Sequence, residues 1–537
     1  MEVDLLWLTL IVTLVGYLYY QLTKNNEYFL EKPIPSLPVR PFFGSSAALL
    51  LKQATFSDFI KNAYEKFPGV KVFGMFETTT PFFVIRDPEL IKRIAVKDFD
   101  HFVDHRPTFG NHEDSDNPYV LFGRSLFAMN GQRWRDMRAT LSPAFTGSKM
   151  RQMFGLIGEC GEDMVRFFEN QMKGSGSVEV EVKDMLGRFG VNVIATCAFG
   201  LKVDSFLDRD NEFYRHGKEM MQFGKLSVLL KIIALRMLPK FCAWLGVDVV
   251  SREQAVYFSN IIKETVRSRE SQGIVRHDMV DLLLQAKKGT LKHHQEKEMQ
   301  EGFATVEESD VGKVEMTKPM SEAEMIAQCF IFFLAGFDTV STSAMLAIYE
   351  LVRNPEIQEK LYEEVKKTHS ELGGKPLTYD AVQKMKYMDM VVSESLRLWS
   401  PAPAIDRLCV RDYVLDDGEG LKFTIDKGTC VWFPAHGLHH DPRYYPNPEK
   451  FEPERFNDEN KKKVHLATYM PFGIGPRNCI GSRFALMEVK TVIYHLLLKF
   501  SFERSENTQI PLKLRKGFTA LGTEKGMYVR LRARKNV

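Results

Sequence analysis

The most continuous apolar pattern lies near the start of the chain, in the segment LLWLTLIVTLVGYLYYQL at residues 5–22. Its length matches one membrane-spanning helix, and Thr9 and Thr13 interrupt it only mildly. The chain starts with MEVD and has Lys24 after the run, so it lacks the basic start of a cleaved signal peptide. The order of the charges places the following residues on the cytosolic side of a membrane. We predict a membrane anchor over residues 1–23; a buried hydrophobic helix is the alternative.

Prolines punctuate the next segment, residues 24–44, at Pro33, Pro35, Pro38 and Pro41. Proline fixes φ and removes a backbone donor, so we predict a stiff, extended hinge here rather than a helix. We expect this hinge to hold the remaining chain, residues 45–537, off the bilayer as one large folded domain.

The pattern then changes from strand-like to helical. Residues 69–87, GVKVFGMFETTTPFFVIRD, are rich in β-branched and aromatic residues and contain Gly and Pro, which predicts a hairpin of two strands. From about residue 134 to residue 400 the spacing of apolar residues is mostly helical, as in DMVDLLLQA. The predicted fold class is therefore mainly α with a smaller β-rich region.

A second apolar segment, LSVLLKIIALRMLPKFCAWLG at residues 226–246, contains Lys231, Arg236 and Pro239. These three residues are incompatible with a second membrane span. The segment either lies in the membrane interface or forms a helix of the core, and the sequence favours neither.

Charge and cysteine content exclude several classes of function. The formal net charge is +3, which gives no reason to expect nucleic acid as a partner. The seven cysteines are scattered and form no C-x-x-C pair, so neither a zinc ribbon nor a disulfide scaffold is expected. The chain has no Walker loop and no G-x-G-x-x-G after a strand, and we predict no site for a nucleotide cofactor.

One cysteine lies in an unusual sequence, PFGIGPRNCIG at residues 471–481. Glycine lets the backbone approach the sulfur of Cys479 and direct N–H groups toward it. The sequence CIGSRFALMEVKTVIYHLLLKF predicts a helix that begins at this cysteine, where the partial positive charge of the helix favours a thiolate. Arg477 offers a planar set of donors suited to a carboxylate, and Phe472 offers an aromatic wall. A thiolate beside a carboxylate clamp suggests a haem site; a structural cysteine beside a glycine-rich turn is the alternative.

The whole window FGIGPRNCIG satisfies F-x-x-G-x-R-x-C-x-G and resembles the haem-ligand signature of the cytochrome P450 superfamily of haem-thiolate monooxygenases. The resemblance implies a cytochrome P450 fold over residues 45–537, preceded by one N-terminal transmembrane helix. It also implies haem b as the cofactor, with Cys479 as the axial thiolate ligand of the iron. O2 and NADPH are the implied co-substrates, the latter through a separate reductase.

Other segments resemble the same family in the same order along the chain. The resemblance implies these contacts to the haem: Phe472, Arg477, Trp134, Arg138, Arg407 and His105. It further implies a buried ion network that steadies the cysteine loop: Glu394 and Arg397 from ESLR, and Arg455 from PERF. Removing one partner of such a network strands a buried charge, so Arg397→Ala is expected to prevent haem incorporation or folding.

The segment FIFFLAGFDTVSTSAML is apolar on nearly every face, which predicts a helix in the core. Thr339 can bond back to the carbonyl of Ala335, and this accounts for the residue without any function. However, AGFDT resembles the oxygen-binding motif of the family, in which the helix widens beside bound O2. The resemblance gives Thr339 and Asp338 the catalytic role of relaying protons through water. Val340 departs from the family, in which many members have Thr or Ser.

The chain has no flavin or nicotinamide domain of its own. The resemblance implies NADPH–cytochrome P450 reductase in the same membrane as the electron donor, with cytochrome b5 as a second candidate partner. Arg133 and Arg135 are candidates for contact with an acidic partner, and a solvated charged surface is the alternative. The anchor implies the endoplasmic reticulum membrane, with the catalytic domain on its cytosolic face.

The segments AGFDT, SPAPAIDR and MPFGIGPRNCIG are most similar to insect members that oxidise xenobiotics. The expected substrates are lipophilic small molecules such as insecticides, plant toxins and endogenous hydrophobes. The implied pocket positions are Phe109, Phe122, Ile331, Leu334, Ala335, Ala402, Ala404 and Phe518. Two rival functions are a haem-thiolate isomerase or dehydratase that needs no reductase, and a non-catalytic haem carrier or gas sensor; the intact AGFDT counts against both.

Overall fold

The computed structural model describes residues 2–41, 43–107, 117, 119–221, 226–291, 302–306, 309–313, 320–518 and 521–535. The predicted class, mainly α with smaller β regions, is confirmed. The helices of the first half are α1 (Glu2–Thr23), α2 (Ala47–Leu50), α3 (Phe56–Glu65), α4 (Pro88–Lys92), α5 (Gly131–Leu141), α6 (Gly147–Gln171), α7 (Val182–Ala198), α8 (Glu212–Met220), α9 (Leu226–Met237), α10 (Pro239–Trp244) and α11 (Arg252–Gln272). Those of the second half are α12 (Met279–Lys287), α13 (Asp310–Lys313), α14 (Glu322–Arg353), α15 (Pro355–Leu372), α16 (Tyr379–Lys384), α17 (Lys386–Leu398), α18 (Ala435–His439) and α19 (Ser482–Lys499).

The strands form three sheets. They are β1 (Val72–Glu77), β2 (Thr80–Ile85), β3 (Ser177–Glu181), β4 (Ile405–Leu408), β5 (Tyr413–Asp416), β6 (Lys422–Ile425), β7 (Cys430–Phe433), β8 (Phe500–Glu503) and β9 (Tyr528–Ala533). The largest sheet has the order β1-β2-β7-β4, and the smaller ones have the orders β3-β9-β8 and β5-β6. The predicted hairpin is confirmed, because β1 and β2 pair antiparallel from Val72 with Ile85 to Glu77 with Thr80.

Helix α14 lies at the centre of the helical part, against α7, α12, α17 and α19. Its start is fixed by a capping box, in which the side chains of Ser321 and Glu324 each accept from the backbone N–H of the other residue. The helix is long and apolar enough to cross a membrane, but most of its apolar stretch is buried inside the protein. It is therefore a core helix, as the sequence predicts.

Helix α1 has the opposite character. Its described side chains from Trp7 to Tyr20 are exposed, and most of them are apolar. An apolar helix with this exposure is what a bilayer anchor requires. Anchoring itself stays a prediction.

The proline-rich segment, predicted to be a stiff, extended hinge, also pairs with the folded domain. Phe29 and Ile34 are buried among side chains of the largest sheet. The N–H of Gly74 in β1 donates to the carbonyl of Pro35 at 2.8 Å. The carbonyl of Gly74 accepts from the N–H of Leu37 at 2.9 Å. Proline excludes helix here, but the carbonyl of Pro35 and the N–H of Leu37 remain available for pairing. The segment therefore extends the edge of the sheet at β1.

The apolar segment 226–246 forms α9 and α10, with the break at Leu238, before Pro239. A core helix, one of the two predicted alternatives, is wrong. A set of its apolar side chains is exposed: Leu230, Ile233, Leu238, Phe241, Trp244 and Leu245. We call these six side chains the α9–α10 patch.

Candidate functional site

A loop before α19 positions Cys479. The backbone takes positive φ at Gly473 and Gly475. A Cβ on Gly475 would lie 1.9 Å from the carbonyl oxygen of Ala95, so only glycine fits this close approach. The N–H of Cys479 donates to the carbonyl of Phe472 at 2.8 Å and closes the loop.

The prediction that the last long helix begins at Cys479 is wrong. Helix α19 begins at Ser482, with Gly481 as its N-cap, so the sulfur precedes the first helical turn. Burial raises the pKa of the Cys479 thiol, while a hydrogen bond from the Gly481 backbone and the charge of Arg138 act in the opposite direction. Because burial acts against the thiolate, a cation bound to the sulfur would stabilise its charged form.

The sulfur faces an internal cavity. Among the cysteines of the described residues, Cys479 is the exposed one, yet burial is the largest influence on its pKa. A sulfur that is accessible and yet surrounded by protein explains both its exposure and the effect of burial on its pKa. Within the same residues, no three His, Cys, Asp or Glu side chains converge as metal ligands, so this sulfur would be a lone protein ligand.

The middle of α14 presents a second accessible surface inside the core. Ala335 and Thr339 are exposed although most of this helix is buried. Ala335 and Thr339 are four residues apart and share one face with the buried Ile331, so this face is accessible in the middle of the helix. The hydroxyl of Thr339 donates to the carbonyl of Ala335 at 2.5 Å, the local bond that the sequence allows.

The neighbouring Asp338 points toward α7 and forms an ion pair that the sequence analysis missed. Its Oδ1 lies 2.8 Å from Nζ of Lys183, and the two side chains are 22% and 29% exposed. The same ammonium group donates to the hydroxyls of Ser341 and Thr342 at 2.8 and 2.6 Å. Asp338 is therefore partly exposed and tied to α7 by this ion pair.

Three buried arginines surround the cysteine loop: Arg138, Arg407 and Arg477. Arg138 donates two hydrogen bonds to Asn478, the residue before the cysteine, at 2.7 and 2.8 Å. Arg407 donates to the carbonyl of Ile474 at 2.9 Å. The guanidinium of Arg477 lies 4.5 Å from the centre of the Trp134 ring and donates to backbone carbonyls such as that of Val103 at 2.8 Å.

This cluster favours an anion. Burial lowers the pKa of Arg407 to about 10 and that of Arg477 to about 9, and the charge of Arg407 adds to the lowering at Arg477. The Nε of Arg407 is buried and has no hydrogen-bond partner among the residues that the structure describes. Asp104 lies 3.8 Å from Arg477, and Asp406 is the other nearby carboxylate that acts on these arginines. Arg407 and Arg477 are thus desolvated cations, and additional negative charge beside them would stabilise their charged form.

His105 lies beside these arginines. Its Nδ1 is 2.9 Å from Oδ1 of Asp406, and its ring stacks on Phe127 with centroids 5.0 Å apart. Burial lowers the pKa of His105, and Asp406 opposes this effect. Burial raises the pKa of Asp406. The contacts with His105, the Arg106 N–H and Arg407 outweigh this effect and hold that pKa well below its ordinary value.

The structure brings the three predicted network residues together. Arg397 donates to both carboxylate oxygens of Glu394 at 2.7 and 2.9 Å, and Arg455 donates to the same carboxylate at 3.3 Å. The side chains of Glu394 and Arg397 are fully buried. Arg397 also donates to the carbonyls of His439 and Pro448, each at 2.7 Å.

His439 connects this network to the cysteine loop, a link that the sequence analysis missed. Its carbonyl accepts from Arg397, and its Nε2 accepts from the N–H of Met470 at 3.0 Å. Burial lowers the pKa of His439 to about 3, so the ring is neutral and can accept.

The candidate pocket residues lie in different surroundings. Phe109 lies outside the described residues. Ile331 and Leu334 lie on α14 with Ala335 and are buried or half-buried. Phe122 is buried in the loop before α5, where its N–H donates to Asp248 at 3.0 Å.

The other pocket candidates lie near the largest sheet. Ala402 and Ala404 are half-buried in the segment that leads into β4. Phe518 is exposed and its ring centroid lies 5.8 Å from that of Phe56, which in turn packs on Trp432 of β7. Phe518 therefore lies beside this sheet, next to Phe56.

Both candidate contact residues for an acidic partner pair within the chain. Arg133 lies 3.2 Å from Glu324, and Arg135 lies 2.6 Å from Asp100. These side chains are half-buried, so a partner would have to compete with existing ion pairs.

Comparison with known proteins adds an independent observation. The family model described as Cytochrome P450 matches residues 34–530. Cytochrome P450 9e2 of Blattella germanica is 40% identical, with 100% of both chains covered. Probable cytochrome P450 9f2 of Drosophila melanogaster is 40% identical over 96% of each chain. Cytochrome P450 6k1 of Blattella germanica is 33% identical over 97% of this chain and 95% of its own.

Proposed function

Because the chain belongs to the cytochrome P450 family, we propose that it is a membrane-anchored monooxygenase that inserts one oxygen atom of O2 into lipophilic small molecules. Members of this family use a haem thiolate, O2, and NADPH through a reductase. The observation that carries the proposal is that Cys479 and the residues Ala335 and Thr339 of α14 are accessible although the elements around them are mostly buried.

The residues present fit a haem. Cys479 offers a single sulfur ligand, and the buried arginines offer positive charge with the unpartnered Nε of Arg407. A porphyrin with two propionates needs these two kinds of contact. We propose that Cys479 holds the iron and that Trp134, Arg138, Arg407, Arg477, His105 and Phe472 contact the rest of the group. When bound, the haem supplies the iron at which O2 is reduced, and the thiolate donates electron density to it.

Thr339 and Asp338 are proposed to handle protons. The hydroxyl hydrogen of Thr339 is engaged by Ala335, so its oxygen can accept a hydrogen bond from water in the cavity. Asp338 is partly exposed and can exchange protons with solvent. The two residues are adjacent on α14 and together connect solvent with the internal face.

The substrates are proposed to be lipophilic xenobiotics or endogenous hydrophobes. Ile331, Leu334 and Ala335 give the internal face of α14 an apolar surface, which suits such molecules. The relatives from Blattella germanica and Drosophila melanogaster support an insect-type member, although their names state no substrate. A panel of insecticides, plant toxins and fatty acids, with products identified by mass spectrometry, tests the substrate class.

The location is proposed to be the endoplasmic reticulum membrane, with the catalytic domain on the cytosolic face. The exposed apolar side chains of α1 support an anchor, and the α9–α10 patch supports a second, interfacial contact. Trypsin added to sealed microsomes should digest the catalytic domain; protection would refute the cytosolic orientation.

The electron donor is proposed to be NADPH–cytochrome P450 reductase, with cytochrome b5 as a second donor. Arg133 and Arg135 pair with Glu324 and Asp100 of this chain, so carboxylates of an acidic partner would have to replace these two. Charge reversal at Arg135 should weaken reductase binding, and binding should also weaken with salt.

One experiment separates this function from its rivals. The purified full-length holoprotein is incubated with a lipophile panel, with and without reductase and NADPH. Oxygenated products that require both support the proposal. Rearranged peroxides formed without reductase would show an isomerase or dehydratase, and binding without turnover would show a carrier or sensor.

A further inference from the structure

Asp406 and His105 form a pair whose geometry is fixed from both sides. Asp406 lies in β4, paired with Trp432 of β7, so its backbone is held by the largest sheet. The N–H of Leu408 donates to the carbonyl of Asp104 at 2.7 Å, which joins the segment of His105 to the same strand. The second carboxylate oxygen of Asp406 accepts from the N–H of Arg106 at 2.7 Å.

This geometry fixes where His105 carries its proton. An ionised carboxylate only accepts hydrogen bonds, so the Nδ1 that faces Asp406 must carry the hydrogen. A neutral His105 then has a lone pair, not a hydrogen, at Nε2. Within the described residues, Nε2 makes no hydrogen bond, and it is not among the fully buried atoms.

A neutral ring in this orientation has nothing to donate to a second carboxylate. Two ionised carboxylates can be bridged by His105 only when both ring nitrogens carry hydrogens, that is, when the ring is an imidazolium. The charged groups that face the ring are Asp406, which favours the imidazolium, and Arg407 and Arg477, which oppose it. Phe127 covers one face of the ring and is apolar.

We propose that His105 binds a haem propionate as an imidazolium whose orientation Asp406 fixes, so that haem binding takes up one proton at this residue. The proposal rests on the proposed function, because it requires haem at this site. Asp406 is a positioning residue that acts through His105. An arginine at position 105 would donate to the propionate without any proton uptake.

The sign of the expected pH dependence follows from linkage. Since the bound state holds a proton that the free state lacks, the complex is favoured at low pH and weakens as pH rises through the pKa of His105 in the complex. For one proton the rate of haem loss can rise by up to about tenfold per pH unit above that point.

Haem transfer tests the proposal. The full-length holoprotein is mixed with excess apomyoglobin, and the rate of haem loss is measured from pH 6 to pH 9. The wild type should lose haem faster as pH rises, and His105→Arg should show a flat profile over this range. Asp406→Asn, which can still accept from Nδ1 but is uncharged, should move the rise to lower pH.

His465→Gln is the matched control, because it removes another histidine paired with a carboxylate, Glu89 at 2.8 Å, at the surface. Its profile should match the wild type. An equal pH slope in wild type and His105→Arg would overturn the proposal, as would an Asp406→Asn profile that coincides with the wild type. If His105→Arg does not take up haem, His105→Gln replaces it in the test. Its rate of haem loss should likewise not change with pH.

The carbon monoxide difference spectrum of each sample separates this proposal from the proposed function. Absence of the thiolate–haem band in the wild type would refute haem binding at Cys479 itself. A normal band with no pH-linked haem loss would refute only the role of His105 and Asp406.

Discussion

Replacing Arg397 with alanine removes the centre of a buried network. The guanidinium donates to Glu394 twice and to the carbonyls of His439 and Pro448, and none of its side chain is exposed. Glu394 keeps two partners, Arg455 at 3.3 Å and the N–H of Glu452 at 2.9 Å. Stranding a buried charge costs about 3 to 5 kcal/mol. Because these two partners remain, we expect the free-energy cost of the stranded Glu394 carboxylate to be near the lower limit, about 3 kcal/mol.

The unpaired carbonyls add to this loss. A hydrogen bond to a charged donor contributes about 1.5 to 3 kcal/mol, so the carbonyls of His439 and Pro448 add about 3 kcal/mol at the lower limit, and the variant should lose about 6 kcal/mol in total. A typical domain has only about 5 to 15 kcal/mol of stability. Arg397→Ala should therefore accumulate poorly or bind little haem.

The pH dependence has a defined sign. Burial raises the pKa of Glu394, and Arg397 opposes that rise. Without Arg397 the folded-state pKa is higher still, so Glu394 binds a proton more readily in the folded than in the unfolded chain. The destabilisation should be smallest below the unfolded pKa, about 4.3, and should grow as pH rises through the folded value.

The assay is urea unfolding of the holoprotein, followed by the thiolate–haem band and by tryptophan fluorescence. Arg151→Ala is the control, since its pair with Asp380 at 2.9 Å is solvent-exposed and should contribute about 0 to 1 kcal/mol. If Arg397→Ala does not accumulate, Arg397→Lys keeps the charge but not the fork of donors and should be intermediate. An Arg397→Ala protein as stable as Arg151→Ala would refute the reasoning.

Three further predictions follow from the site and the surface. Cys479→Ser should keep the fold by circular dichroism but lose the thiolate–haem band with carbon monoxide, because a hydroxyl is a poor anionic ligand; an unchanged band would contradict the assignment. Thr339→Ala should keep that band but yield less product and more hydrogen peroxide per NADPH, whereas unchanged coupling would exclude a proton role. A chain without residues 2–23 should still float with phospholipid vesicles, because the α9–α10 patch contacts lipid. The same truncated chain with Phe241→Ser and Trp244→Ser should no longer float. Equal flotation of the two truncated proteins would show that the patch does not contact lipid.

Local patterns predict local structure here. The alternation and turn residues of 69–87 predict β1 and β2, and the all-round apolar character of the AGFDT segment predicts its burial in α14. The candidate network is also predictable, because Glu394 and Arg397 are one turn apart on α17.

Long-range pairs are not predictable from one sequence. Lys183 and Asp338 lie 155 residues apart, and His105 and Asp406 lie 301 residues apart. No local propensity encodes such pairings, since they arise only when α7 packs on α14 and when the segment of His105 joins β4. The docking of the hinge could not be predicted for a related reason: prolines indicate an extended chain, but its pairing with the edge of β1 depends on tertiary structure.

The composition of α14 also bears on how the chain is made. Membrane insertion machinery reads the hydropathy of an emerging segment, and residues 322–353 contain a stretch apolar enough to be taken for a span. An aspartate near the middle of such a segment adds about 2.5 to 3.5 kcal/mol to the cost of insertion. Asp338 occupies that position, so it opposes misinsertion of the helix during synthesis, before any tertiary structure exists. We therefore expect substitution of Asp338 by a neutral residue to increase misinsertion as well as to impair turnover, and glycosylation-site mapping of the nascent chain distinguishes the two effects.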